Sequence, residues 1–161
     1  MKRDYEALKE AAGAFREAIE HCKHGLAFSL MKRFPFGCCK TASLLLARFL
    51  VLELRYRPMS FISGGTGRDR QQNDSTHLWL EYFGVVIDIT ADQFPNMFEA
   101  VIVTDDRSWH DKTFPDQESF DFETQEKGFD KSYRAKFDAD YSKICDALSY
   151  RHSGLLSGPP D

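Results

Sequence analysis

THLWLEYFGVVIDIT, residues 76–90, reads as two β-strands joined at Phe83-Gly84, because β-branched and aromatic residues fill the positions on both sides of a turn pair. Alternation fixes the faces. If Tyr82 pairs with Val85, then Leu78, Leu80 and Tyr82 share one face with Val85, Ile87 and Ile89. The other face carries His77, Trp79 and Glu81 against Thr90, Asp88 and Val86. Asp88 then lies opposite Trp79 and diagonal to His77, within reach of an imidazole nitrogen. A slip of one residue would turn Asp88 in among the leucines. The apolar pattern itself therefore selects the register that brings acid and histidine together.

Upstream, FPFGCCKTASLLLARFL (residues 34–50) reads as a turn at Pro35 and Gly37 followed by a helix from the cysteines to about Leu54. Leu44, Leu45, Leu46, Phe49, Leu50, Val51 and Leu52 are too continuous for a surface helix, so this one is central and buried on most sides. Cys38 and Cys39 fall at or just inside its first turn. Unpaired N–H groups and the positive end of the helix dipole favour a thiolate there and supply donors to a developing oxyanion. Helical steps from Cys39 lead to Ala42, Leu45, Leu46, Phe49 and Leu50, the buried face, and Cys38 is one position away. Periodicity does not separate the two thiols. Packing alone also accounts for a cysteine at a helix start, since free cysteine is among the most buried residue types. A histidine and a carboxylate are what chemistry requires besides, and the hairpin supplies both.

The flanks are amphipathic helices. From Asp4 to about Lys23, Tyr5, Leu8, Ala12, Phe15, Ile19 and Cys22 make one apolar stripe, with His21 and His24 on the polar side. From Lys131 to about Arg151, Tyr133, Phe137, Tyr141, Ile144 and Leu148 make another. Pro58–Ser63 reads as a strand, Gly64–Ser75 as a polar, mobile loop, and Ala100–Val103 as a strand beside the hairpin. Thr104–Asp130, without periodicity, reads as an irregular surface segment anchored by its phenylalanines. His110 and His152 have no partner at useful spacing and read as solvent-exposed. The expected fold is α+β, a central buried helix packed on an antiparallel sheet with helices at both ends, in a single domain over residues 1–152 with a flexible tail at 153–161.

The 161 residues carry 21 Lys and Arg against 25 Asp and Glu, a net charge of −4, with no basic stripe to neutralise phosphates, so nucleic acid is not an expected partner. No segment reads as a signal peptide or a membrane span, which predicts a cytoplasmic protein away from membranes. In that compartment Cys22, Cys38, Cys39 and Cys145 are expected as free thiols. His21, Cys22 and His24 lie near each other, but no C-x-x-C accompanies them, so neither a metal nor a cofactor is expected.

A cysteine at a helix start, a histidine on one strand and an aspartate on the next are the parts of an acyl-transfer site. The thiolate attacks a carbonyl carbon, His77 takes the thiol proton and returns it to the leaving amine, and Asp88 fixes the imidazole's tautomer. Trp79 covers the His77–Asp88 bond from water. Gln93 is a candidate donor, and Asp92 a weaker substitute for Asp88. Gly37-Cys38-Cys39, His77-Leu78-Trp79-Leu80-Glu81 and Ile87-Asp88-Ile89-Thr90 together resemble the papain-like and transglutaminase-like superfamily of cysteine enzymes, over roughly residues 34–94. The resemblance implies a nucleophile where helix and sheet meet. Its G-x-C pattern selects Cys39, with Cys38 as the alternative nucleophile. The family's oxyanion glutamine, six residues before its cysteine, falls here on Arg33, so that donor comes from elsewhere. The implied activity is hydrolysis of an amide or peptide bond in a protein or peptide substrate, with deamidation or transglutamination as variants of one mechanism. A non-catalytic binding or scaffold domain keeping the same fold is the competing class.

Overall fold

A computed structural model describes residues 5–151; His152 and the tail at 153–161 lie outside the described residues. Helix α1 (Tyr5–Cys22) buries Leu8, Ala12, Phe15 and Ile19 as the stripe requires. Helix α2 (Cys39–Leu52) is buried at every residue from Thr41 to Val51, so its apolar run reflects a position inside the molecule. Helix α5 (Lys131–Arg151) packs on α1 and buries Phe137, Ile144 and Leu148. No helix among the described residues is long and apolar enough to cross a membrane.

The strands β1 (Ser60–Arg68), β2 (Asp74–Tyr82), β3 (Val85–Asp88), β4 (Ile102–Thr104) and β5 (Asp116–Asp121) form one five-stranded sheet in the order β4-β3-β2-β1-β5. Every neighbouring pair is antiparallel, so the fold is α+β with an antiparallel sheet. The hairpin has the expected register: Tyr82 faces Val85, Glu81 faces Val86 and Leu80 faces Ile87. Leu80, Val85, Ile87 and Ile89 join α1, α2 and α5 in the main core. Trp79 and Val86 point the other way, into a second core with Ile62, Ala91, Phe94, Ile102 and Phe114.

That second core corrects two expectations. The segment 104–130 is not irregular: it holds the end of β4, helix α3 (Ser108–Thr113), β5 and helix α4 (Phe122–Lys127). It lacks periodicity because it is fixed at a few buried points, chiefly His110, Phe114 and Phe122. Nor is Gly64–Ser75 a loop throughout. Strand β1 runs on to Arg68 and β2 begins at Asp74, with an irregularity in the pairing between Gly64 and Gly67. The turn between them is tied by the Asp69 carboxylate, which accepts from the N–H groups of Gln71 (2.8 Å) and Asn73 (2.9 Å). The glycines provide clearance rather than mobility: a Cβ at Gly64 would stand 2.6 Å from the Phe114 Cβ and 2.8 Å from the Trp79 ring.

Two glycines therefore respond in opposite directions. Gly64→Ala forces Phe114 and Trp79 apart and is expected to destabilise the fold by about 1–3 kcal/mol in urea unfolding. Gly13 lies inside α1 with nothing within 4 Å of a new Cβ, and Gly13→Ala is expected to stabilise by roughly 0.5–1 kcal/mol. Equal effects of one sign would refute the packing argument.

Candidate active site

Asp88 ends β3 with its carboxylate wholly out of water, and neighbouring elements supply its partners. From β2, the His77 Nε2 lies 2.6 Å from Asp88 Oδ2, the contact that the alternation of the hairpin predicts. From α3, the His110 Nε2 lies 2.9 Å from the same oxygen. The other oxygen, Oδ1, accepts from the Thr90 N–H at 2.9 Å and from its hydroxyl at 3.4 Å. A carboxylate has about four acceptor positions, and all are taken. Burial alone would push the Asp88 carboxyl up; the His77 charge and the bonds from His110 and His77 overcome it and hold the group well below the usual carboxylate range.

His77 shows the complementary balance. Burial works against its imidazolium form, but the Asp88 charge and hydrogen bond, and after them the neighbouring Cys39 thiol, lift it from 6.5 to about 9. Since Nε2 is committed to Asp88, the remaining nitrogen is Nδ1, which is buried and without a hydrogen-bond partner among the described residues. Aromatic rings enclose the imidazole: Phe94, Phe114 and Trp79 have centroids 4.8, 5.2 and 5.7 Å away. Trp79 is completely buried. Excluding water in this way lowers the local dielectric and strengthens the His77–Asp88 attraction.

Exposure separates the two cysteines that periodicity could not. Cys38 precedes α2, belongs to the main core and is only 2% exposed; burial, then the adjacent Cys39, pushes its thiol up to about 12. Cys39, the first residue of α2, is half-buried. The preceding turn has Gly37 at φ 68°, and its N–H donates to Gln93 Oε1 at 3.1 Å. Gln93 Nε2 in turn donates to the Thr90 carbonyl at 2.9 Å. Gln93 thus straps the cysteine turn to the segment that holds Asp88, a positioning task rather than that of a free donor. Lys40 and Arg33 are exposed. Asp92 does not stand in for Asp88, because both its oxygens are held by Arg16 at 2.8 Å.

The main correction concerns His110. Far from solvent-exposed, it is 1% exposed and sits against Trp79 and Trp109, each with its ring centroid 4.7 Å away. A six-residue helix of mixed composition offers no period from which to place it; the flanking Trp109 and Phe114 were the only sign of burial.

His77, Asp88 and His110 also form the one group of three candidate metal ligands among the described residues, with their donor atoms within 4.8 Å of each other. Two ligands on bonds of about 2.1 Å at ordinary angles stand about 3.0–3.4 Å apart. The His77–Asp88 separation of 2.6 Å is shorter, so these donors fit shared protons better than an ion. All four cysteines are free. Comparison with known protein families, curated proteins and solved structures finds no match to this chain.

The buried pair sets a pH dependence. His77 is raised from 6.5 to about 9, so its contribution to stability is complete below about pH 6.5 and is lost as pH rises toward 9. Asp88 is lowered, so its contribution is present above the ordinary carboxylate range and fails only in strong acid. Urea unfolding at stepwise pH is expected to show stability falling in that alkaline window, by up to about 1.4 kcal/mol per pH unit. The slope should vanish in Asp88→Asn. A flat wild-type profile would mean that His77 stays neutral.

Proposed function

We propose that Cys39, His77 and Asp88 are the nucleophile, general base and orienting acid of a papain-like or transglutaminase-like thiol enzyme that cleaves an amide or peptide bond in a protein or peptide substrate. The observation that carries this reading is the His77 ring, held by Asp88 through Nε2, with an unpartnered Nδ1 left for the Cys39 thiol at the start of α2. The packing of α2 on β2 supports the same family resemblance.

In the resting site the thiol proton already sits on His77 Nδ1, in keeping with an imidazolium held up to about 9, and the sulphur attacks the carbonyl carbon as a thiolate. The first intrahelical bond of α2 runs from the Ala42 N–H to the Cys38 carbonyl at 2.9 Å, so the N–H groups before it are available to the oxyanion. As the tetrahedral intermediate collapses, His77 gives its proton to the leaving amine and a thioester remains on Cys39. Water, deprotonated by His77, then releases the acid; an entering amine would complete transglutamination instead, and a glutamine side chain with water would complete deamidation. Cys38, enclosed and held protonated, is poorly suited to attack. Four free thiols favour a reducing compartment such as the cytoplasm. The competing scaffold reading draws on the complete enclosure of His77, which leaves only Cys39 of the three in contact with solvent.

Iodoacetamide labelling, located by mass spectrometry, separates the two. Cys39 is expected to react selectively below about pH 8, and His77→Ala to slow it by roughly tenfold or more. Cys39→Ser is expected to fold and to lose turnover of amide substrates by about a thousandfold or more, while Cys38→Ser keeps most of it. Slow, unselective labelling indifferent to His77 would favour the scaffold.

A further inference from the structure

A histidine is costly to bury without partners, yet α3 delivers His110 into the second core, where its Nε2 meets Asp88 Oδ2 and nothing else is needed to explain its position. The ring lies nearly parallel to that of His77, at 17° and 6.2 Å, and the Nε2 atoms of both meet one oxygen. Without His110 that oxygen would have a free lone pair.

We propose that His110 is a positioning residue of the Cys39 site: by donating to the Asp88 oxygen that His77 also uses, it keeps that carboxylate ionised and fixed, and through it orients the imidazole that serves the thiol. This rests on the triad reading above. His110 touches neither the thiol nor the reacting carbonyl. It also lines a cavity of about 330 Å³ whose charged neighbours are Lys9 from α1, with Glu99 and Asp106 from the chain around β4. His77 from β2 and Asp88 from β3 face His110 as well.

The test is the rate of Cys39 alkylation by iodoacetamide as a function of pH in the full chain. His110→Phe keeps the ring volume and removes the donor; the rate at neutral pH is expected to fall roughly tenfold and the midpoint of the profile to rise by about one pH unit. His110→Gln, which retains an N–H, is expected to recover most of the loss. A residue that only fills space would leave the midpoint where it is. A His110→Phe profile superimposed on the wild type, while His77→Ala still abolishes the low-pH reaction, would overturn the proposal and leave the triad standing. Labelling indifferent to His77→Ala would remove the triad, and the role of His110 with it. If His110→Phe does not fold, the ring nitrogen correlations of unaltered protein decide. A His110 proton on Nε2 whose signal shifts in Asp88→Asn supports the proposal, and protonation on Nδ1 alone overturns it.

Discussion

Removing a carboxylate from water costs on the order of several kcal/mol unless its lone pairs are filled, and the architecture around Asp88 serves to fill them. Two imidazoles and both donors of Thr90 converge on it from β2, α3 and the chain just past β3. None of these partners is local except Thr90. The hairpin must hold its register for His77 to arrive, and the chain from β4 to β5 must fold back over the sheet for His110 to arrive. Arg16 secures the same corner from α1, donating to the carbonyls of Ile89 at 2.7 Å and Ala100 at 2.8 Å while it pairs with Asp92. A slip in any one of these elements strands a buried charge, which penalises alternative packings more strongly than the loss of a few apolar contacts would.

The hairpin was legible because a strand has a period of two and apolar residues mark its buried side. Leu80, Ile87 and their neighbours therefore place Asp88 beside His77 by pattern alone. The central helix was legible for a related reason: a run such as Leu44–Val51 has no side that tolerates water. What failed were inferences from composition. Gly64, Gly65 and Gly67 signalled a flexible loop, yet they lie in β1, and at Gly64 and Gly67 the missing side chain leaves room for Phe114 and Trp79. The polar residues of 104–130 signalled a surface, yet a few anchors among them close the second face of the sheet. A short helix with one buried histidine has no pattern to detect, since its position is set by Asp88 rather than by its own neighbours. The preference for Cys39 over Cys38 had rested on the G-x-C analogy; burial, which no one-residue offset in a helical pattern can resolve, supplies an independent reason.

The enclosure of His77 constrains the chemistry proposed for it. Its Nε2 is bonded to Asp88 and aromatic rings surround the imidazole, so the proposed proton transfers run through Nδ1. A leaving amine and an entering water or amine must then use the same nitrogen and the same approach to the half-buried sulphur. They cannot occupy it together. In the proposed mechanism departure precedes entry, and the thioester on Cys39 persists with the first product gone. In the proposed mechanism the choice between hydrolysis and transfer to an amine falls at the second stage, where the acceptor competes for access to Nδ1.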